Sequence, residues 1–264
     1  MKKKLVSCIL VVCMLLTMLP TMAWAEETNT LYIDEGSIVI EDGLWTQTTE
    51  NGVATGTDID VTIAQKNAET PTTNTITVES GNPIITLSGV NISASAEAFT
   101  LKSGTATLVL SGDNTLIGAG NKAAVKIKSN ATLSIDGDGS LTAQGGKYAA
   151  GIGSSYNDGS DGGNLIIEGG TINVTGSESA AAIGSGKYAL FGDITINGGN
   201  ITVTSDFAGI CTATDKTGGG NITINGGDVN VTLKKCSPDE SWGKFAAIGG
   251  GSGSWDKFFE AAET

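Results

Sequence analysis

Histidine and arginine are both absent from the 264 residues. Without His, no Ser-His or Cys-His nucleophilic pair and no His-bound metal centre can form. Without Arg, there is no guanidinium to act as a base or to clamp an acidic substrate. Aromatic residues make up only 5% of the chain, and Pro and Cys occur four times each. Positive charge is scarce: 15 Lys face 28 acidic residues.

Three of the 15 lysines sit at the very start. Lys2, Lys3 and Lys4 precede an apolar run from Leu5 to Leu19, and Ala23-Trp24-Ala25 is a small-x-small cleavage site. Residues 1–25 therefore read as a secretory signal peptide, with Glu26 as the first mature residue and an extracellular destination. The apolar run is short for a membrane span, and no second one follows, so membrane insertion is not expected. Leu5-Val6-Ser7-Cys8 spells a lipoprotein-like box, but no apolar region precedes it. Removing the leader leaves 12 Lys against 28 acids, a formal charge of −16. Such a surface repels nucleic acid and anionic membranes. It repels acidic polysaccharides too, unless a divalent cation bridges the two sets of carboxylates.

Glycine is abundant, at 38 residues, and its placement is periodic. Leu87-Ser88-Gly89, Leu110-Ser111-Gly112, Ile135-Asp136-Gly137, Ile167-Glu168-Gly169, Ile196-Asn197-Gly198 and Ile224-Asn225-Gly226 repeat one pattern, with glycine returning after 23, 25, 32, 29 and 28 residues. An apolar-x-apolar strand precedes each glycine and a second one follows it: Ile92/Ala94, Leu116/Gly118, Leu141/Ala143, Ile172/Val174, Ile201/Val203 and Val229/Val231. A third column starts at Phe99, Val125, Ile152, Ile183, Ile210 and Ile248, set among small residues such as Ala180-Ala181-Ala182-Ile183-Gly184. Alternate side chains of a strand share a face, so each set points inward together. Repetition at this period marks a solenoid. The expected fold is all-β: a right-handed parallel β-helix with three strands per coil and about seven to eight coils, spaced about 4.8 Å apart. The Asn-Gly-Gly turns at 197–199 and 225–227 also suit hairpins, but strands arriving in threes favour the helix over a meander.

Residues 26–80 are less regular. Strands are expected at 31–33, 38–40, 59–63 and 75–78, as one or two irregular coils capping the N-terminal end. Residues 81–264 form the repeat region, lengthened toward the C-terminus by insertions at 154–163, 185–192 and 234–244. After Ala246-Ala247-Ile248-Gly249-Gly250 the repeat gives way to Trp255-Asp256-Lys257-Phe258-Phe259-Glu260. Either this segment folds over as a cap or the chain belongs to a longer protein.

Candidate chemistry is sparse. Asp136 and Glu168 occupy successive rungs, near the spacing of a carboxylate pair in glycosidases. The plainer reading makes them solvated turn residues, in one column with Ser88, Ser111, Asn197 and Asn225. Asn157-Asp158-Gly159-Ser160-Asp161-Gly162 has the composition of a calcium loop, with Asp158 and Asp161 as metal ligands, though not the spacing of an EF-hand; the same residues also build an ordinary polar loop. Tyr156, Tyr188 and Trp255 all fall after the third strand, with Trp242 and Phe245 entering it. These rings either line one edge as ligand-binding residues for sugar stacking or pack their own loops. Cys211 and Cys236, the two cysteines beyond the leader, sit near the same corner of successive coils and read either as a disulfide or as two thiols. Outward Thr and Asn columns, Thr195/Thr223 and Asn173/Thr202/Asn230, follow from strand propensity.

The stretches Thr75-Ile76-Thr77-Val78-Glu79-Ser80-Gly81, Ile85-Thr86-Leu87-Ser88-Gly89-Val90-Asn91-Ile92 and Leu108-Val109-Leu110-Ser111-Gly112-Asp113-Asn114-Thr115-Leu116, with the Ala-Ala-Ile-Gly and Gly-Asn-Ile-Thr-Ile-Asn-Gly-Gly units, carry a family likeness. Over roughly residues 70–255 the chain resembles secreted β-helix proteins of Gram-positive bacteria. Some of these are calcium-dependent carbohydrate-binding domains on a pectate-lyase-like helix without established catalysis, and others are adhesin-like surface proteins. The family's acidic calcium positions do not map cleanly onto this chain, because coil insertions interrupt them. The resemblance implies a secreted, non-catalytic, carbohydrate-binding or adhesin-like protein, acting as a monomer on an extracellular polysaccharide, with calcium as its candidate cofactor. Two alternatives stay open. One is a calcium-dependent polysaccharide lyase using a Lys base, Lys126 or Lys187, where many β-helical lyases use Arg. The other is a structural stalk within a larger surface protein.

Overall fold

In a computed structural model, residues 30–158, 162–214, 218–234 and 246–249 are described. The chain winds into a parallel β-helix whose three walls are sheets of eight, six and ten strands. The single helical element among the described residues is a three-residue 3-10 turn at Ile33–Glu35. No helix among the described residues is long and apolar enough to cross a membrane.

Six complete coils can be followed, each contributing one strand to each wall, from Ile84–Ser88 in the first to Ile248–Gly249 in the sixth. Two incomplete turns precede them, represented in the second sheet only by a bridge between Thr72 and Ile92. The expected seven to eight coils thus resolve into six full and two partial ones. The third-sheet column runs as read from the sequence, with Phe99, Val125, Ile152, Ile183, Ile210 and Ile248 in successive register. The first five are fully buried. Burying a side chain of this size contributes about 1.5–3 kcal/mol, and the columns of the three walls merge into one continuous core.

The glycine column needs a correction. Leu108 pairs with Ile135 and Leu110 with Gly137, so Gly137 does not stand over Gly112. In the second sheet Leu116 likewise pairs with Ala143 and Asn114 with Leu141. Between the second and third coils both sheets slip by two residues, and the eight-residue strand Gly104–Ser111 is long enough to satisfy both registers. An even slip leaves the apolar face inward. It also places Asn114 inside the corner, where it is 1% exposed. Its Oδ1 accepts from the Val90 N–H at 3.1 Å, and its Nδ2 donates to the carbonyls of Ser111, Gly112 and Ser140. Asp136 falls beside Val109 rather than in line with Ser111.

At the N-terminal end the third sheet continues past the first turn. Strand Gly36–Glu41 pairs in parallel with Ile76–Ser80 on one side and antiparallel with Leu44–Thr49 on the other, which pairs in turn with Gly52–Thr57. The last two strands were not expected, because Thr, Gln and Gly dilute their alternation. Within them Gln47, 4% exposed, donates to the carbonyls of Tyr32 and Gly36 and so closes the end of the first turn.

Short third-sheet strands rest on glycine. Gly153 and Gly184 have φ of +143° and +117°, and a Cβ at Gly153 would lie 1.9 Å from the Gly184 carbonyl oxygen. Only glycine combines that backbone with so close an approach of the next coil.

Candidate functional site

The corner that follows the third sheet is where loops from successive coils meet. Backbone bonds tie them together: Gly146 N to Lys122 O, Tyr156 N to Asn121 O, Lys187 N to Tyr148 O and Asn157 N to Lys187 O, at 2.9–3.1 Å. Gly186 lies flat against Ser155, whose carbonyl oxygen would sit 2.4 Å from a Cβ there. Asn157 and Tyr188 both adopt positive φ, +46° and +59°. That is tolerable for Asn and unusual for a ring-bearing residue, so the surrounding bonds hold Tyr188 in place.

This scaffold gathers three tyrosines. The ring centroids of Tyr148 and Tyr156 are 5.5 Å apart with planes tilted by 43°, and those of Tyr156 and Tyr188 are 5.9 Å apart, tilted by 59°. These are distances at which aromatic pairs attract. Tyr188 is 43% exposed, and Tyr148 and Tyr156 are half-buried. The Lys187 ammonium lies 5.1 Å from the centroids of both Tyr148 and Tyr188, bridging them through cation–π attraction. Lys147 lies 5.2 Å from the Tyr148 centroid and 3.7 Å from Glu178.

Tyr156 and Tyr188, expected on one edge, are thus brought together. Tyr148 was missed because it precedes the third strand of its coil rather than following it. The chain bends back around that two-residue strand, where Ala150 N donates to Ser154 O, and so returns Tyr148 to the same corner. A signal for it exists: Gly-Lys-Tyr-Ala occurs at both 146–149 and 186–189. Trp242, Trp255, Asp161 and Cys236 lie outside the described residues; Cys211 is buried.

The same corner carries an ionic network with a buried lysine at its centre. Lys126, 8% exposed, contacts Asp158 Oδ2 at 2.7 Å and Glu97 Oε1 at 3.3 Å. The Ser155 hydroxyl donates to Glu97 at 2.9 Å, and Lys122 approaches it at 3.5 Å. Burial alone would push the Glu97 carboxyl up. Its own backbone N–H, Lys126, Ser155 and Lys122 outweigh that and hold it below the usual range. Asp158 is therefore engaged by a lysine, and among the described residues no group of three Cys, Asp or Glu side chains is placed to hold a metal. The other carboxylate pair is engaged by neighbouring groups, with Asp136 near the end of strand Ala131–Gly137. Glu168 accepts from Asn197 at 3.0 and 3.1 Å, and Asn197 accepts from Asn225 at 2.8 Å, as a ladder along the surface. Asp136 accepts from the Gly137 N–H.

The chain is thus a three-walled parallel β-helix that carries a lysine-braced tyrosine corner. Residues 68–237 match the family described as carbohydrate-binding domain-containing protein. This match covers more than half of the chain, which belongs to that family. No curated protein and no solved structure matches it.

Proposed function

We propose that this is a secreted, non-catalytic, adhesin-like protein that recognises an extracellular polysaccharide through the corner built by Tyr148, Tyr156 and Tyr188. The observation that carries the reading is the three-ring cluster itself. It sets apolar ring faces beside polar groups on an otherwise strongly acidic protein, which suits the mixed apolar and hydroxyl faces of sugars. Family membership supports a carbohydrate partner. Trp242 and Trp255 are proposed as further ligand contacts, and the protein is expected to act as a monomer.

Affinity electrophoresis in gels containing soluble polysaccharides tests this. Retention is expected for the parent protein, and each of Tyr148→Ala and Tyr188→Ala is expected to weaken it by about two- to ten-fold. If both variants melt earlier yet keep full retention, the rings are structural and the site is wrong. A stalk without binding predicts no retention on any glycan.

The lyase alternative is tested by incubation with polygalacturonate and calcium, in which growth of unsaturated-product absorbance overturns the binding-only reading. Lys126 is shielded from solvent and held by two carboxylates, and Lys187 is engaged by two rings, neither a setting that favours a base acting on a polymer. Calcium would have to displace Lys126 from Asp158. Retention that rises with calcium, and no longer does so in Asp158→Asn, would be its signature. Recovery of a chain beginning at Glu26 from culture medium tests export.

A further inference from the structure

We infer that the tyrosine corner selects single, twisted polysaccharide chains in solution over the flat faces of ordered, crystalline polysaccharide, and that Lys187 is the positioning residue that sets this preference. This rests on the glycan-binding reading above.

A crystalline polysaccharide presents its sugar rings in a common plane. Several aromatic residues grip such a face together only if their own rings lie in one plane. Here successive planes are turned by 43° and 59°, so the three rings cannot lie flat on one surface together. A free chain whose successive sugars rotate about the chain axis presents its faces at changing tilt. The centroid spacings of 5.5 and 5.9 Å are comparable to the length of one sugar unit, so neighbouring rings meet neighbouring sugars.

The tilt is also fixed before any ligand arrives. Lys187 N donates to Tyr148 O and Asn157 N donates to Lys187 O, so one residue joins the backbones beside all three rings. Its ammonium then bridges the first and third ring at 5.1 Å each. A preformed cradle spends little ordering entropy on binding, and a rigid tilted one cannot flatten to suit a crystal face.

The test uses the mature protein with two kinds of probe. Soluble xylan, hydroxyethyl cellulose and polygalacturonate are cast in affinity gels; microcrystalline cellulose and chitin are used in sedimentation assays. Retention by at least one soluble polymer, with sedimentation on the crystalline ones at least about ten-fold weaker, is the expected result. Binding to crystalline polymer as strong as or stronger than to soluble polymer, and lost in Tyr148→Ala and Tyr188→Ala, overturns this inference while leaving the glycan site standing. Binding to neither removes both. Lys187→Met is expected to lower soluble-chain retention and alter the near-ultraviolet dichroism of the tyrosines without lowering the melting temperature, and Lys187→Arg to restore both signals. If Lys187→Met leaves retention and dichroism unchanged, Lys187 does not position the rings.

Discussion

Asn114 is nearly fully buried and engaged on both sides of its amide. It fills a place that a strict repeat would give to an apolar residue, and it satisfies one amide and three carbonyls of the corner. Asn114→Ala should therefore cost about 2 kcal/mol, since buried groups left without partners bear the full desolvation penalty. Asn114→Leu should not repair it, because the Val90 N–H still lacks an acceptor; urea unfolding of the three proteins checks this. Glu97 gives a pH signature. Its carboxyl is held below the ordinary value of about 4.3. A depressed folded-state value stabilises the protein above the unfolded-state pKa, and that contribution disappears as pH falls through the folded one. The melting-temperature gap between the parent and Glu97→Gln should be full at pH 6 and close on acidification below about pH 4. Neither residue was legible in the sequence. Asn114 reads as part of a polar turn, and Glu97 finds its partners up to 58 positions away, at Ser155. Tyr156 and Tyr188 were legible because both follow the third strand.

For the strands, inward columns were readable wherever apolar residues alternate, and the third-sheet column matches residue for residue. What failed was the register between the second and third coils. Aligning on Gly112 and Gly137 assumes that a turn glycine marks the same rung in every coil, whereas side-chain alternation fixes register only to within an even number of residues. The hairpin strands 44–49 and 52–57 lack strong alternation and emerge through pairing with a neighbour. The third-sheet strands, two to four residues long in the later coils, combine a fully buried isoleucine with glycines that admit the close approach of the next coil. Gly184→Ala would place a methyl group 2.0 Å from the Cys211 carbonyl oxygen on a backbone at φ +117°. A loss of at least about 2 kcal/mol is expected from strain and clash, seen as a lower denaturant midpoint, with loosening of the loop that carries Tyr188, four residues beyond that strand.

Across the whole molecule, each coil touches chiefly its two neighbours, so stability is close to a sum of nearest-neighbour terms. Ile224 and Ile248 of the sixth coil are 44% and 41% exposed, while their partners Ile196 and Ile210 are buried. Amide hydrogen exchange should therefore be slowest in the second to fifth coils and faster in the sixth, with the N-terminal turns protected only while Gln47 caps them. Uniform protection along the chain would contradict this picture, and Gln47→Ala should speed exchange at 30–41 alone. The offset between the second and third coils also bears on how such a chain acquires length. Residues added inside a strand are tolerable only in pairs, since an odd number would turn the apolar face outward. Residues added at corners meet no such parity rule. Inheritance can thus experiment freely at corners while the walls accept only even changes. The tyrosine corner, which takes Tyr156, Lys187 and Tyr188 from such additions, is a part of the molecule open to acquiring a new ligand without a new fold.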